Sequence, residues 1–144
     1  MKKKSVSRNT LSEYLENFLR STYFKDYCPN GLQVQGKEAI QKIVVGVTAS
    51  KALIEQAIDA HADAILVHHG WFWKSDDVRI VGQLYDRLSL LMQHNINLFA
   101  YHLPLDSHPE VGNNAQLGKK LRLKVLGQHP TNSLIWLGEI TQKN

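Results

Sequence analysis

The chain has 144 residues, the length of one domain, and a chain of this size buries about 68–70% of its unfolded surface without help from disulfides. Its composition, 43% hydrophobic and 21% charged with a mean hydropathy of −0.29, excludes a disordered chain, a collagen-like repeat and a disulfide scaffold. Seventeen basic residues stand against 13 acidic ones, a net charge of +4, and Lys2, Lys3, Lys4 and Arg8 supply that excess before the first acid, Glu13.

The pI near 9.2 therefore describes a terminus rather than a basic binding face. Residues 1–9 are predicted to form a basic, flexible, solvated tail, and nucleic acid has little support as a partner. A single cysteine, Cys28, leaves no internal bridge and no cysteine-based zinc cluster, and points to a reducing compartment. No apolar h-region follows the lysines, as a signal peptide would require, and no apolar run approaches the roughly 18 residues of a membrane span. The expectation is a cytoplasmic protein with no membrane partner.

The first predicted helix carries Leu11, Tyr14, Leu15, Phe18, Leu19 and Thr22 on one face, the spacing of a buried helical stripe. Thr10 and Glu13 fit a capping box. The helix should stop before Pro29, and Asn30-Gly31 marks a turn. Ile43–Val47 is a short β-branched run, predicted as a strand covered on both faces. Ser50 caps a helix through Ala62, with Ile54, Ala57, Ile58 and His61 on one side. Ala64–Val67 is a second buried strand. Asp76 or Asp77 caps a longer helix that turns Val81, Leu84, Tyr85, Leu88, Leu91 and Met92 inward. Leu98–Tyr101 is a third strand, and Asn113 or Asn114 caps a helix through Leu121. Leu123–Val125 and Ser133–Ile140 read as two further strands. This alternation predicts an α/β fold with a largely parallel sheet and helices on both faces, in a single domain over residues 1–144.

In such a sheet ligands bind beyond the carboxyl ends of the strands, and there the histidines collect. His68 and His69 follow one strand, His102 follows its neighbour, and Asp106 lies four residues beyond His102. Imidazoles with a carboxylate suit hydrolytic or redox transition metals. Adjacent residues of a regular strand point to opposite sides. His68 and His69 therefore hold one ion only if the backbone turns at Gly70, and otherwise suit two ions side by side, about 3.5–4 Å apart, bridged by a water. Each histidine taken alone is most simply a hydrogen-bonded loop residue. His61, His94 and His129 read as helix-end or surface residues and His108 as a loop residue. Cys28, before a proline, reads as packed rather than reactive. Trp71-Phe72-Trp73 reads equally as a pocket wall or as a lid over apolar surface. No Walker loop, dinucleotide fingerprint or serine-hydrolase elbow is present.

Four segments in order, Cys28-Pro29-Asn30-Gly31-Leu32-Gln33-Val34, His68-His69-Gly70-Trp71-Phe72-Trp73, Tyr101-His102-Leu103-Pro104-Leu105-Asp106 and Gly112-Asn113-Asn114, resemble the dinuclear-metal-centre family, YbgI-like or NIF-three-like, often labelled GTP cyclohydrolase I type 2. The resemblance covers about residues 10 to 125. It implies an α/β fold and a homo-oligomer, commonly a hexameric ring, with paired divalent transition ions (zinc, iron or manganese) facing an internal cavity. It further implies that His69 and Asp106 serve one metal and His68 the other, with His102 close by as an orienting neighbour. Members of the family are longer. Their second α/β half ends in a His-x-x-x-Glu segment whose glutamate bridges both ions, and this sequence carries only the first half and no such segment.

The function implied is a metal-dependent hydrolase acting on a nucleotide or another small phosphoester, with its catalytic residues unassigned. The alternatives are a non-enzymatic metal-binding regulatory or scaffold protein, and a truncated form whose metal site is incomplete.

Overall fold

The computed structural model describes residues 4–140. These divide between His102 and Leu103 into two compact units.

The first unit begins with a short strand, β1 (Val6–Ser7), which runs straight into helix α1 (Arg8–Leu19). β1 pairs with β3 (Ala39–Ile40), and Arg8 forms an ion pair with Glu38 at 2.9 Å. The stretch predicted as a flexible tail is thus ordered from Val6 onward, because the backbone finds a strand partner and the arginine a counter-charge. Lys2 and Lys3 lie outside the described residues. The cap of α1 is Ser7 and not Thr10: the Ser7 hydroxyl accepts the Thr10 backbone N–H at 3.0 Å, which satisfies one of the orphan donors of the first turn. Leu15 and Leu19 are buried as predicted, whereas Tyr14 is exposed and stacks on Phe18. The helix ends where Arg20 takes a left-handed conformation (φ 52°).

The central sheet contains β2 (Gly31–Val34), β4 (Ile43–Thr48), β5 (Ala64–His69) and β6 (Asn97–Ala100), in the order β2-β6-β5-β4. β4, β5 and β6 are parallel, and β2 joins β6 antiparallel. Helices α2 (Lys51–Asp59) and α3 (Gly82–Gln93) supply the parallel connections. Ile54 and Ala57 of α2, Leu88 and Leu91 of α3, and Ile65, Val67, Leu98 and Ala100 of the sheet form one core. Phe99 is also fully buried but lies outside that core, as strand alternation demands. Ser50 caps α2 as predicted, accepting the Leu53 N–H.

Two expectations fail here. β4 is not covered on both faces: it is an edge strand, and Val45 and Val47 are exposed while Val44 packs on the core. Nor is α3 capped by Asp76 or Asp77. It starts at Gly82 with no side-chain cap, because Asp76 accepts the Trp73 N–H and Asp77 pairs with Arg79. Val81, Tyr85 and Met92, predicted to turn inward, lie at the surface.

At the amino end of the sheet two polar side chains organise the loops. Asn97, fully buried, accepts from Gly36 N–H and donates to the carbonyls of Lys37 and Asp63. The Asp63 carboxylate accepts the backbone N–H groups of Gln41 and Lys42 and pairs with Lys37 at 2.8 Å.

The second unit holds the short helix α4 (Leu103–Ser107), α5 (Asn113–Lys120) and an antiparallel hairpin of β7 (Leu123–His129) and β8 (Asn132–Ile140). Gly112 occupies the cap position of α5. The two candidate caps serve elsewhere, Asn113 donating to Asp106 and Asn114 to the Leu134 carbonyl. β7 runs further than its predicted end at Val125, since the hairpin continues pairing to His129. No described helix is long and apolar enough to cross a membrane.

Burial works to raise the Asp63 pKa, but the Lys37 ammonium and the two backbone donors outweigh it, so the carboxyl lies below its ordinary value. A depressed native value means the stabilisation is complete above the unfolded value, about pH 4, and is lost as pH falls through the native one. Asp63→Asn should therefore lower stability by about 1 kcal/mol at pH 7 and by much less at pH 3. Urea unfolding at the two pH values measures this difference.

Candidate metal centre

The sheet fixes the candidate centre through its parallel registration. Val67 of β5 lies opposite Ala100 of β6, and the ladder ends where Tyr101 N–H donates to the Val67 carbonyl at 3.1 Å. The next residues along each strand are His68 and, one further on, His102. Their rings lie 5.0 Å apart, and the His69 ring lies 4.4 Å from His68 and 5.7 Å from His102. One ligand atom from each of the three falls within 4.8 Å of the others. Although adjacent in sequence, His68 and His69 thus gather into one group at the strand's end.

Each ring is held at Nδ1 by an oxygen. His68 Nδ1 lies 3.1 Å from the Tyr101 carbonyl, His69 Nδ1 3.3 Å from the Thr48 hydroxyl, and His102 Nδ1 2.8 Å from an Asp26 carboxylate oxygen. A carbonyl can only accept, so His68 carries its proton on Nδ1 and its lone pair on Nε2. An outer oxygen that fixes tautomer and ring orientation is the usual support of a metal-binding histidine. The donor set therefore fits a transition ion of the zinc, iron or manganese kind.

The loop before β2 and β2 itself brace both strand ends. Asn30 accepts the His102 backbone N–H at 2.7 Å and donates to Asp26 at 3.0 Å. Gln33 accepts the Trp71 N–H at 2.7 Å, and its amide donates to the Trp71 carbonyl at 3.0 Å. Gly70 lies in that clamp: a Cβ there would stand 2.5 Å from the Ala100 Cβ and run into the Gln33 amide. The aromatic segment divides its tasks. Trp71 is buried in the core with its indole N–H donated to the Ala49 carbonyl, whereas Trp73 meets His102 edge-on at 4.9 Å and lies 6.1 Å from His69.

Sequence reasoning missed Asp26, Asn30, Gln33 and Thr48 as partners of this cluster. The available signal was the run Asp26-Tyr27-Cys28-Pro29-Asn30-Gly31, whose Asp and Asn side chains readily bond nearby backbone; their partners, more than seventy residues away, were not visible.

Asp26, Cys28 and His102 make a second group of possible ligand atoms within 4.8 Å. Burial first, and the Asp26 charge second, push the Cys28 thiol up to about 11. Burial also raises the Tyr101 phenol, with Glu16 adding to the effect. Among the described residues its hydroxyl is buried without a hydrogen-bond partner.

Asp106 belongs to the second unit, in α4, where it accepts from Asn113 at 2.9 Å. His61 and His94 sit at the ends of α2 and α3. His108 is a loop residue whose Nδ1 accepts the N–H groups of Glu110 and Val111, and His129 ends β7.

Residues 6–144 match the family Duf34/NIF3 (NGG1p interacting factor 3). A Yersinia pestis protein named GTP cyclohydrolase 1 type 2 homolog is 54% identical over 131 residues, which cover 91% of this chain and 52% of that protein. A solved structure described as protein ybgI, of unknown function, superposes with a TM-score of 0.91 at 47% identity, over 95% of this chain and 55% of the other. The structure of TTHA1606 from Thermus thermophilus gives 0.82 at 42% identity, over 87% and 52% of the two chains. The chain spans about half the length of the curated relatives it matches.

Two outcomes follow from the geometry. Gly70→Ala should destabilise the protein by about 1–3 kcal/mol, the usual effect of overpacking, and should lower its urea midpoint. Because the Cys28 thiol ionises only near pH 11, iodoacetamide should label it at neutral pH at least tenfold more slowly than in the urea-unfolded chain, as the thiolate is the nucleophile; mass spectrometry of timed samples reads the ratio.

Proposed function

This chain belongs to the Duf34/NIF3 family, and from that premise we propose that it holds divalent transition metal at His68 and His69 and hydrolyses a nucleotide or other small phosphoester. The observation that carries this reading is the group of three imidazoles, each held at Nδ1 by an oxygen, at the carboxyl ends of two parallel strands. An oxygen at Nδ1 orients each ring, the usual support of a metal-binding histidine. When bound, the metal supplies Lewis acidity and lowers the pKa of a water to near neutrality.

The chain's own residues set the surroundings. His68, only 8% exposed, binds through a nitrogen whose lone pair is already directed by the sheet. Trp73 meets His102 edge-on and forms one side of the imidazole group. Asp106 is retained as a proposed carboxylate ligand on the strength of the family resemblance. Two ions, a homo-oligomer arranged as a hexameric ring and a cytoplasmic location belong to the same proposal. The name carried by the relatives supports a nucleotide as substrate. No phosphate-cradling loop of the Walker type accompanies it in the sequence, so the phosphoester class is the broader expectation.

The test is elemental analysis of the purified chain, followed by assay against a panel of nucleotides and phosphoesters. Wild-type protein should retain zinc, iron or manganese. His68→Ala and His69→Ala should each lose most of it while their circular dichroism stays native. Metal content unchanged in both variants overturns the site. Metal retained without turnover on any substrate replaces hydrolysis by metal binding alone.

A further inference from the structure

We propose that the open edge of β4 is an interface with a second copy of this chain, the two strands pairing antiparallel about a two-fold axis at Val45. The inference rests on the homo-oligomer reading above, names one contact within it, and needs no metal. β4 ends the sheet: it is bonded to β5 on one side and, among the described residues, to no strand on the other. The Lys42 carbonyl accepts the Ala64 N–H at 3.3 Å. In a parallel pair alternate residues of a strand bond to the neighbour, so Val44 and Gly46 turn inward next, and Ile43 and Val45 aim their N–H and C=O groups away from the sheet. Gly46 lies under Leu53 of α2 and Val44 packs on the core, which puts Ile43, Val45 and Val47 on the other face. There Val45 is 71% and Val47 67% exposed. Edge strands are ordinarily guarded by lysine, proline or a covering element. Ile43–Thr48 carries neither a charge nor a proline, and the Lys42 ammonium just before it is drawn off to the Ala60 carbonyl at 2.6 Å.

The strand is matched to itself. Antiparallel pairing about Val45 sets Val45 against Val45 of the second copy and Ile43 against Val47 of the second copy, β-branched pairs that stabilise cross-strand contacts. Lys42 then opposes Thr48, whereas parallel pairing in register would stack Lys42 on Lys42. Helix α2 supports the same axis. It packs on both β4 and β5, so its copy would stand beside it, antiparallel, at the separation of packed helices, about 8–10 Å. Lys51 and Glu55 are exposed one turn apart on α2, and the two-fold would bring each towards the opposite charge. A foreign strand would find no charged side chain on β4 to select it. Two four-stranded sheets would become one continuous sheet of a size that stays within the usual range.

The experiment is sedimentation velocity of the full chain over a concentration series, with hydrogen exchange on the same samples. Wild-type chain should associate. Val45→Lys and Val45→Glu, at an exposed position, should keep native circular dichroism and each weaken association by about tenfold or more, because like charges would face each other across the axis. An equimolar mixture of the two variants should recover most of the lost affinity, since each lysine then meets a glutamate, and native mass spectrometry should show the mixed pair. In the wild type the Val45 amide should exchange about tenfold more slowly at the concentrated end of the series than at the dilute end, while the Gly46 amide, bonded inside the sheet, stays slow at both. Association indifferent to Val45→Lys, a mixture no tighter than either variant alone, or a Val45 amide that exchanges equally fast at both ends overturns the proposal and leaves the homo-oligomer reading standing. A wild-type chain that is monomeric at every concentration overturns both. Should a variant fail to fold, the wild-type Val45 exchange decides.

Discussion

The rung that follows the last main-chain hydrogen bond between β5 and β6 is made by a side chain. Tyr101 N–H closes the ladder on Val67, and the Tyr101 carbonyl then takes the imidazole N–H of His68 where another backbone amide would stand. Everything at the candidate centre depends on this substitution. It ties the ring to the sheet's own spacing, so an error in strand registry would be an error in ring position. A buried parallel sheet has little freedom to slip, because a one-residue shift exchanges its two faces. Ile65 and Leu98 would then leave the core that α2 and α3 cover.

A second layer of support comes from far away in the chain. Asp26 and Asn30 of the loop before β2, with Gln33 of β2 itself, reach the exits of both histidine-bearing strands. Such a network is effective when every member is satisfied, and here each of the three side chains makes at least two hydrogen bonds. The close approach at Gly70 belongs to the same arrangement, since a side chain there would wedge the Gln33 clamp away from Ala100.

Much of this was legible in the amino-acid order and some of it was not. Strand–helix alternation announced the parallel core, because apolar β-branched runs and helical stripes are local patterns. His68, His69 and His102 were legible as a cluster because strand ends share one edge in such a fold. The exposure of Val45 and Val47 was not, since a run of valines reads the same at an edge as in the middle of a sheet. The start of α1 was misread by three residues because Ser7 and Thr10 are both competent caps, and pairing with β3 decides between them. Asp26 stayed invisible because nothing local to it signals a partner on another strand.

The indole of Trp73 gives the centre an optical consequence. It stands edge-on to His102 and within ring-contact range of His69, while Trp71 is sealed in the core with its N–H committed to Ala49. Indole emission is sensitive to neighbouring imidazolium and to ions with partly filled d shells, both of which drain the excited state over short distances. The protein thus carries an indole fluorophore in ring contact with the imidazoles.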